Sequence, residues 1–262
     1  MPYKTNYEDI ALGIVCPMAN ERDNAVPFVT DVLDVCGRFP FRSVRMFVIL
    51  DRKSTDGTLD MLRGVSCRLK ELTVVYAPEN KCVVDAYVRG YREALEAGSD
   101  WILEIDAGYS HQPEDIPGHF AKMIEGYDCV FGSRFCTGGD STGVSFIRYA
   151  LSKGGSVVAN LLLGTRLKDM TSGFELFSCN TLSAVMTRGI KSRGPFFQTE
   201  IKAYLGRLNI AEVPIRYKNA SHVLTHKSLE DSLSGLWRLF LLRLSNRLFV
   251  TIDRQGYSRH DG

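Results

Sequence analysis

The chain has no long hydrophobic run. Its longest apolar stretches, such as Leu161 to Leu163 and Leu239 to Leu242, fall far short of the ~20 residues that a membrane-spanning helix requires. Met1 to Asp9 is polar and lacks the apolar core of a secretory signal. Paired cysteines are missing too. The seven, Cys16, Cys36, Cys67, Cys82, Cys129, Cys136 and Cys179, are odd in number, scattered and without a Cys-x-x-Cys pair. This argues against a disulfide framework or a zinc cage and leads us to expect a reducing, cytoplasmic setting. Charge of one sign is absent: the formal net charge of +2 leaves no broad basic footprint, so no nucleic-acid partner is expected. No Gly-rich Walker loop and no Gly-x-Gly-x-x-Gly follows the first apolar run, which disfavours a P-loop hydrolase and a dinucleotide dehydrogenase. There is no internal repeat and no low-complexity linker.

Strand-like and helix-like segments alternate. Ile10 to Cys16, Val44 to Leu50, Leu72 to Tyr76, Trp101 to Ile105 and Cys129 to Gly132 read as buried strands. Helical spacing separates them at Asn24 to Cys36, from Thr58, and at Val83 to Ala97. This β-α-β order predicts an α/β, Rossmann-like, mostly parallel twisted sheet with helices on both faces. Further on, Val144 to Leu163 and Phe197 to Gly206 read as helices, and Phe174 to Phe177 and Ile210 to Tyr217 as strands. Leu229 to Leu248 reads as a long amphipathic helix. Its stripe of Leu229, Leu233, Leu236, Trp237, Phe240, Leu244 and Leu248 is expected in the core. Leu239, Leu242, Phe249 and Val250 lie off that stripe beside Arg238, Arg243 and Arg247. That excess suits contact with a membrane surface through 229–250 or, equally, a homodimer. Residues 1–227 are expected as the main domain, with 228–262 a C-terminal helix and tail on or beside it.

Ligands bind open parallel sheets beyond the carboxyl ends of the strands. There the sequence places Pro17-Met18-Ala19-Asn20-Glu21, Asp51 to Thr58, Asp106 to His111, and Gly132-Ser133-Arg134. One polar loop is usually only a turn or a helix cap; Asp56-Gly57 reads that way, and His111 reads as a loop histidine satisfied by backbone. Four such loops at successive strand ends make a crevice with acids early and arginines later. Carboxylates there can accept from a base or ribose and hold a divalent cation, and cations can stabilise a departing diphosphate.

These segments resemble a family 2 glycosyltransferase of the GT-A fold, and within it the dolichyl-phosphate mannosyltransferase branch. Pro17 to Glu21 is similar to the family's Pro-x-Tyr-Asn-Glu, Asp51 to Thr58 to its Asp-Asp-x-Ser-x-Asp-Gly-Thr, and Asp106 to Glu114 to its Asp-Ala-Asp-Leu-x-His-x-Pro-Glu. Gly132-Ser133-Arg134, Asp169 to Phe174, Gln198-x-Glu200 and Glu212 to Ile215 follow in family order.

The resemblance implies transfer of a hexose-like sugar from a GDP- or UDP-sugar, with inversion, to a polyprenyl phosphate. A hydroxyl acceptor in polysaccharide or glycolipid synthesis, and a non-catalytic binding descendant, stand as alternatives. Pro17, Ala19, Glu21, Asp51, Asp106, Ala107 and Lys227 would contact the nucleotide sugar. Asp106, Arg134 and Arg148 would be catalytic, Gln198 and Glu200 would face the acceptor, and Asp106 would hold Mg2+ or Mn2+. Three positions depart from the pattern. Gly108 stands where the second acid of Asp-x-Asp belongs, Arg52 replaces the second acid of the earlier motif, and Ala19 replaces its tyrosine. The metal is therefore expected to bind weakly, through the donor diphosphate, and Gly108→Asp to tighten it. The arginine expected shortly before Lys227 falls on Ser221. The protein is expected in the cytoplasm or peripheral on the cytoplasmic face of a membrane.

Overall fold

A computed structural model describes residues 6–218 and 226–252, the side chains of residues 226–228 excepted. In chain order the elements are β1 (Ala11–Met18), α1 (Ala25–Gly37), β2 (Ser43–Leu50), α2 (Thr58–Ser66), β3 (Leu72–Tyr76), α3 (Val83–Glu96) and β4 (Trp101–Glu104). Then follow α4 (Ile116–Ile124), β5 (Cys129–Ser133), β6 (Asp140–Thr142), α5 (Phe146–Leu163), β7 (Glu175–Ser178), α6 (Cys179–Arg188), α7 (Phe197–Leu205), β8 (Ile210–Pro214), β9 (Arg216–Lys218) and α8 (His226–Leu244).

Seven strands form one sheet in the order β3-β2-β1-β4-β7-β5-β8. All its pairings are parallel except those of β7, which runs antiparallel between β4 and β5. β1 is apolar throughout, as are β2 from Met46 onward and β4 up to Leu103, because helices cover both faces. Their side chains alternate between two cores. Leu12, Ile14, Cys16, Met46, Val48, Trp101 and Leu103 join Phe28 and Phe120 on one face. Val15, Phe47, Ile49 and Ile102 join Tyr87, Tyr91, Phe177 and Tyr204 on the other. Gly90 lets α3 press onto β1: a Cβ there would lie 2.3 Å from Val15 Cγ1.

The mostly parallel α/β sheet matches the sequence reading, with differences in the second half. Phe174 to Phe177 shifts to Glu175–Ser178 and is the antiparallel strand. Ile210 to Tyr217 breaks after Pro214, whose ring carries no N–H for the ladder, and continues as β9, paired with β6 in a separate two-stranded sheet. The helices α4 and α6 were not anticipated.

The largest correction concerns the face that α8, His226–Leu244, turns inward. Most of the stripe assigned to the core faces outward: Leu229, Leu233, Trp237 and Leu244 are exposed, whereas Leu236 packs against the second core, Leu248 beyond the helix end is buried as expected, and Leu239, off the stripe, is buried. Two local contacts set the rotation. A Cβ on Gly235 would meet the Phe196 ring at 2.6 Å, and Arg238 Nη2 lies 2.8 Å from Glu200 Oε1. These turn Gly235, Arg238 and Leu239 inward and leave most of the leucine stripe outside.

Candidate active site

The carboxyl ends of β1, β2 and β4 bring Pro17, Ala19, Glu21, Asp51, Asp106 and Ala107 to one edge of the sheet. The loop after β1 is held by the start of α2. Thr55 N–H donates to Asn20 Oδ1 at 2.9 Å, Glu21 N–H to Thr58 Oγ1 at 3.0 Å, and Arg22 N–H to Asp56 Oδ2 at 2.9 Å. Asp56 also accepts from the Thr58 N–H at 3.0 Å, ahead of Gly57 with φ +92°, the turn and cap expected of it. Asp51 is buried and accepts from the Lys53 N–H at 2.8 Å.

Asp106 has a side chain 44% exposed, facing the crevice. The Tyr87 hydroxyl donates to its Oδ1. His111 Nδ1 stands 3.7 Å from Oδ2 and accepts from the Asp106 N–H at 3.3 Å. Burial pushes His111 below its ordinary range, and a ring nitrogen that accepts from a backbone N–H carries no proton. The pair is therefore neutral histidine beside carboxylate, not an ion pair.

Gly108 has φ +73°, and a Cβ there would lie 3.0 and 3.1 Å from the two oxygens of Glu21. The Glu21 carboxylate thus already occupies the space into which an acid at 108 would project. Burial first, and then the nearby charges of Asp106 and Glu21, push the Cys16 thiol well up, which places both carboxylates around the end of β1. This weighs against the expectation that Gly108→Asp would tighten metal binding, because the change would add backbone strain and a like charge against Glu21. Among the described residues no three His, Cys, Asp or Glu side chains converge on one point.

On the other side of the crevice, Arg134 follows β5. Its Nε and Nη2 donate to Asp169 Oδ2 and Oδ1 at 2.7 and 2.8 Å, its backbone N–H to Oδ2 at 3.1 Å, and Nη2 also to Thr171 Oγ1 at 2.6 Å. Burial alone would push the Asp169 carboxyl up, but the Arg134 hydrogen bonds and charge outweigh it and hold it below the usual range. Arg148 lies in the first turn of α5, where its charge acts on Tyr217. The side chain of Lys227 and all of Ser221 lie outside the described residues.

The model of glycosyl transferase family 2 matches residues 13–185. The chain belongs to that family. This glycosyltransferase is 33% identical over 172 residues to the undecaprenyl-phosphate mannosyltransferase of Micrococcus luteus, covering 65% of this chain and 70% of that one. It is 26% identical over 207 residues to the polyprenol monophosphomannose synthase of Mycolicibacterium smegmatis, covering 78% and 76%. Among solved structures, glucosyl-3-phosphoglycerate synthase from Mycobacterium tuberculosis with UDP superposes with a TM-score of 0.61 at 16% identity, over 87% of this chain and 79% of that one. The same enzyme with Mn2+, UDP and glucosyl-3-phosphoglycerate gives 0.57 at 17% identity, over 91% and 80%. At such identity the likeness bears on the fold alone.

Behind the crevice the glycosyltransferase carries a buried polar layer that pattern reading missed. Lys202, fully buried, donates from Nζ to Asp169 O at 2.9 Å, Ser172 O at 3.1 Å and Ser172 Oγ at 2.8 Å, and sits 2.8 Å from Glu175 Oε1. Glu104, also buried, accepts from the Tyr91 hydroxyl and from Gln198 Nε2. Burial pushes Glu104 up to about 8. A lone acid closing the apolar run Trp101-Ile102-Leu103 was the available sequence signal. Gln198 and Glu200, expected at the acceptor, belong to this interior instead. Glu200 is fully buried and accepts from the Lys191 and Ser192 N–H groups at 3.1 and 2.8 Å and from the Tyr204 hydroxyl. With Arg238 beside it, this carboxylate is committed to holding the 191–192 loop against α7 and α8.

Proposed function

We propose that this glycosyltransferase moves a hexose, mannose by likeness to its relatives, from a nucleoside diphosphate sugar to a polyprenyl phosphate. One observation carries the choice of acceptor. A hydroxyl acceptor needs a base to take its proton, and among the described residues the two groups weighed for that task are withdrawn, while Asp106 is assigned to the metal: Glu200 is buried in the α7–α8 contact and His111 is buried and already bonded through Nδ1. A phosphate monoester, with a second pKa near ~6, is largely a dianion at neutral pH and needs none.

The acceptor oxygen forms a bond to C1 of the sugar as the bond from C1 to the β-phosphate oxygen breaks. The electron pair leaves with the nucleoside diphosphate, no proton is transferred, and the anomeric centre inverts. Pro17, Ala19, Glu21, Asp51 and Ala107 form the nucleotide side of the crevice in this reading. Asp106, with Glu21 beside it across Gly108, would hold Mg2+ or Mn2+; a pair of carboxylates completed by substrate phosphates is a donor set these ions accept. The ion, when bound, would neutralise charge on the leaving diphosphate. Arg134, locked in orientation by Asp169, and Arg148 would offset repulsion between two anionic substrates, with Lys227 in the same role. A lipid-phosphate acceptor sets the reaction at a membrane surface, and none of the described helices is long and apolar enough to cross one.

The test offers the purified protein radiolabelled GDP-mannose, UDP-glucose or UDP-galactose with undecaprenyl phosphate, and in parallel with undecaprenol. Label in the organic phase with the phosphate only is the expected result. Transfer to the alcohol, or only to soluble sugars, would overturn the acceptor assignment.

A further inference from the structure

Helix α3 reaches the crevice through a tyrosine hydroxyl. Tyr87 and Tyr91 stand one turn apart on the face of α3 that packs onto the sheet, and both are buried. Glu104 is the last residue of β4, and Asp106 lies two residues beyond it. Side chains four apart on a helix, or two apart on extended chain, share a face. The two spacings nearly coincide, at about 6 Å along a helix and about 6.6 Å along a strand. The residues pair in reverse order, as in a helix antiparallel to its strand. The Tyr87 hydroxyl donates to Asp106 Oδ1 and the Tyr91 hydroxyl to Glu104 Oε2.

Packing fixes the tyrosine ring. Gly90 lets α3 lie close against Val15 of β1. The Tyr87 ring packs against Phe197 of α7, with centroids 5.1 Å apart, and against Tyr91 at 6.0 Å. Its hydroxyl is therefore held at one point. The Asp106 side chain, 44% exposed, is not enclosed in this way. His111 does not hold the outer oxygen either. The ring nitrogen nearest Oδ2 is Nδ1, which accepts from the Asp106 N–H and so has no proton to offer. With Oδ1 engaged by Tyr87, Oδ2 is the oxygen left to the crevice.

We propose that Tyr87 is a positioning residue for the transfer reaction. By donating to Oδ1 it fixes the Asp106 carboxylate with Oδ2 turned toward the ion that accompanies the donor diphosphate. The role rests on Asp106 as that ion's carboxylate. Hydrogen-bond partners behind a metal ligand typically contribute about tenfold to about a hundredfold in ion affinity or activity.

Tyr91 supplies the control. It makes the same kind of bond from the same helix face, but to Glu104, which is fully buried. Tyr→Phe at either position keeps the ring and removes one hydroxyl. A hydroxyl that only satisfies its own need for a partner would behave alike at both positions.

The experiment measures calorimetric binding of GDP and of UDP to the full-length protein, each with excess Mn2+ and with EDTA. Wild type, Tyr87→Phe, Tyr91→Phe and Asp106→Asn are compared, with the melting temperature as the check on folding. The gain in nucleotide affinity given by Mn2+ should shrink at least about tenfold in Tyr87→Phe, persist in Tyr91→Phe and disappear in Asp106→Asn. Affinity in EDTA should be the same in Tyr87→Phe as in wild type, because the change leaves the rest of the nucleotide side in place. A wild-type gain in Tyr87→Phe, with Asp106→Asn impaired, would overturn the proposal and leave Asp106 as the ion's carboxylate. Equal gains in Asp106→Asn and wild type would overturn both. Equal losses in Tyr87→Phe and Tyr91→Phe would also overturn the proposal, since they would report a general loosening of α3.

Discussion

Replacing Asp169 by asparagine tests how the arginine side of the crevice is held. Asp169 is fully buried and accepts three hydrogen bonds from Arg134, as well as bonds from the Thr171 N–H and hydroxyl, both at 3.1 Å. The Arg134 side chain is only 11% exposed, so in Asp169→Asn a guanidinium stays buried with no opposing charge. Breaking a buried pair from one side costs about 3–5 kcal/mol. The low end applies here, because the asparagine carbonyl keeps part of the hydrogen bonding and Lys202 binds the Asp169 backbone oxygen, which the change leaves in place. A loss of about 3 kcal/mol is a large share of the ~5–15 kcal/mol that stabilises a typical domain. Urea unfolding is the assay: the midpoint should fall with the slope unchanged. Arg134→Met combined with Asp169→Asn should lose less than the two single changes summed, because the orphaned charge is gone. The pH dependence has a definite sign. The Asp169 carboxyl is held below its ordinary 3.8, so its stabilisation is complete above that value and is lost as pH falls toward the folded-state value. Wild type and Asp169→Asn should therefore converge in stability under acid. A loss below about 1 kcal/mol at neutral pH would refute the reasoning.

Asp106→Asn should lower turnover by about a hundredfold or more with the melting temperature retained, since the side chain lies open to the crevice; wild-type turnover would remove it from the chemistry. Gly108→Asp should lose about 1 kcal/mol or more from the left-handed backbone, and its Mn2+ affinity measured by calorimetry with donor present should not rise; a tighter ion would restore the lost-ligand explanation. Glu104, pushed up to about 8 from 4.5, stabilises the fold fully below the unfolded value, and that contribution falls as pH rises to about 8. The unfolding midpoint of Glu104→Gln should be flatter than wild type across that window, and parallel pH curves would mean that Glu104 titrates normally.

The fold was legible where apolar runs of strand length end in turn signals. Leu72–Tyr76 is legible residue for residue, and Trp101 to Ile105 to within one residue, because each short run of strand-forming residues is bounded by polar or turn-forming residues, Glu71 and Pro78 for the first and Gly98-Ser99-Asp100 and Asp106 for the second. What a single strand does not encode is its direction: Phe174 to Phe177 reads the same whether its neighbours run with it or against it. The acids of the crevice were legible because they sit directly after such strands. Glu200 and Gln198 were not, because a polar pair on a helix reads alike whether it faces a ligand or an interior, and burial is decided by the arrival of α8 and the 191–192 loop from elsewhere in the chain. The α8 stripe failed for a related reason. Helical periodicity shows that one face is apolar, but Gly235 and the Arg238–Glu200 pair determine which face turns inward.

The insertion of β7 between β4 and β5 also sets an order of events during synthesis. The strands β3, β2, β1 and β4 lie consecutively in the first part of the chain and can pair as they emerge from the ribosome. The far edge of β4, however, stays open until α4, β5, β6 and α5 have all been made, because its partner Glu175–Ser178 comes only then. For that interval Trp101, Ile102 and Leu103 form an unpaired apolar strand edge, a template for pairing with another nascent chain. A chain that stops short of β7 would carry this open seam permanently, so fragments ending before Glu175 should aggregate where the full chain does not.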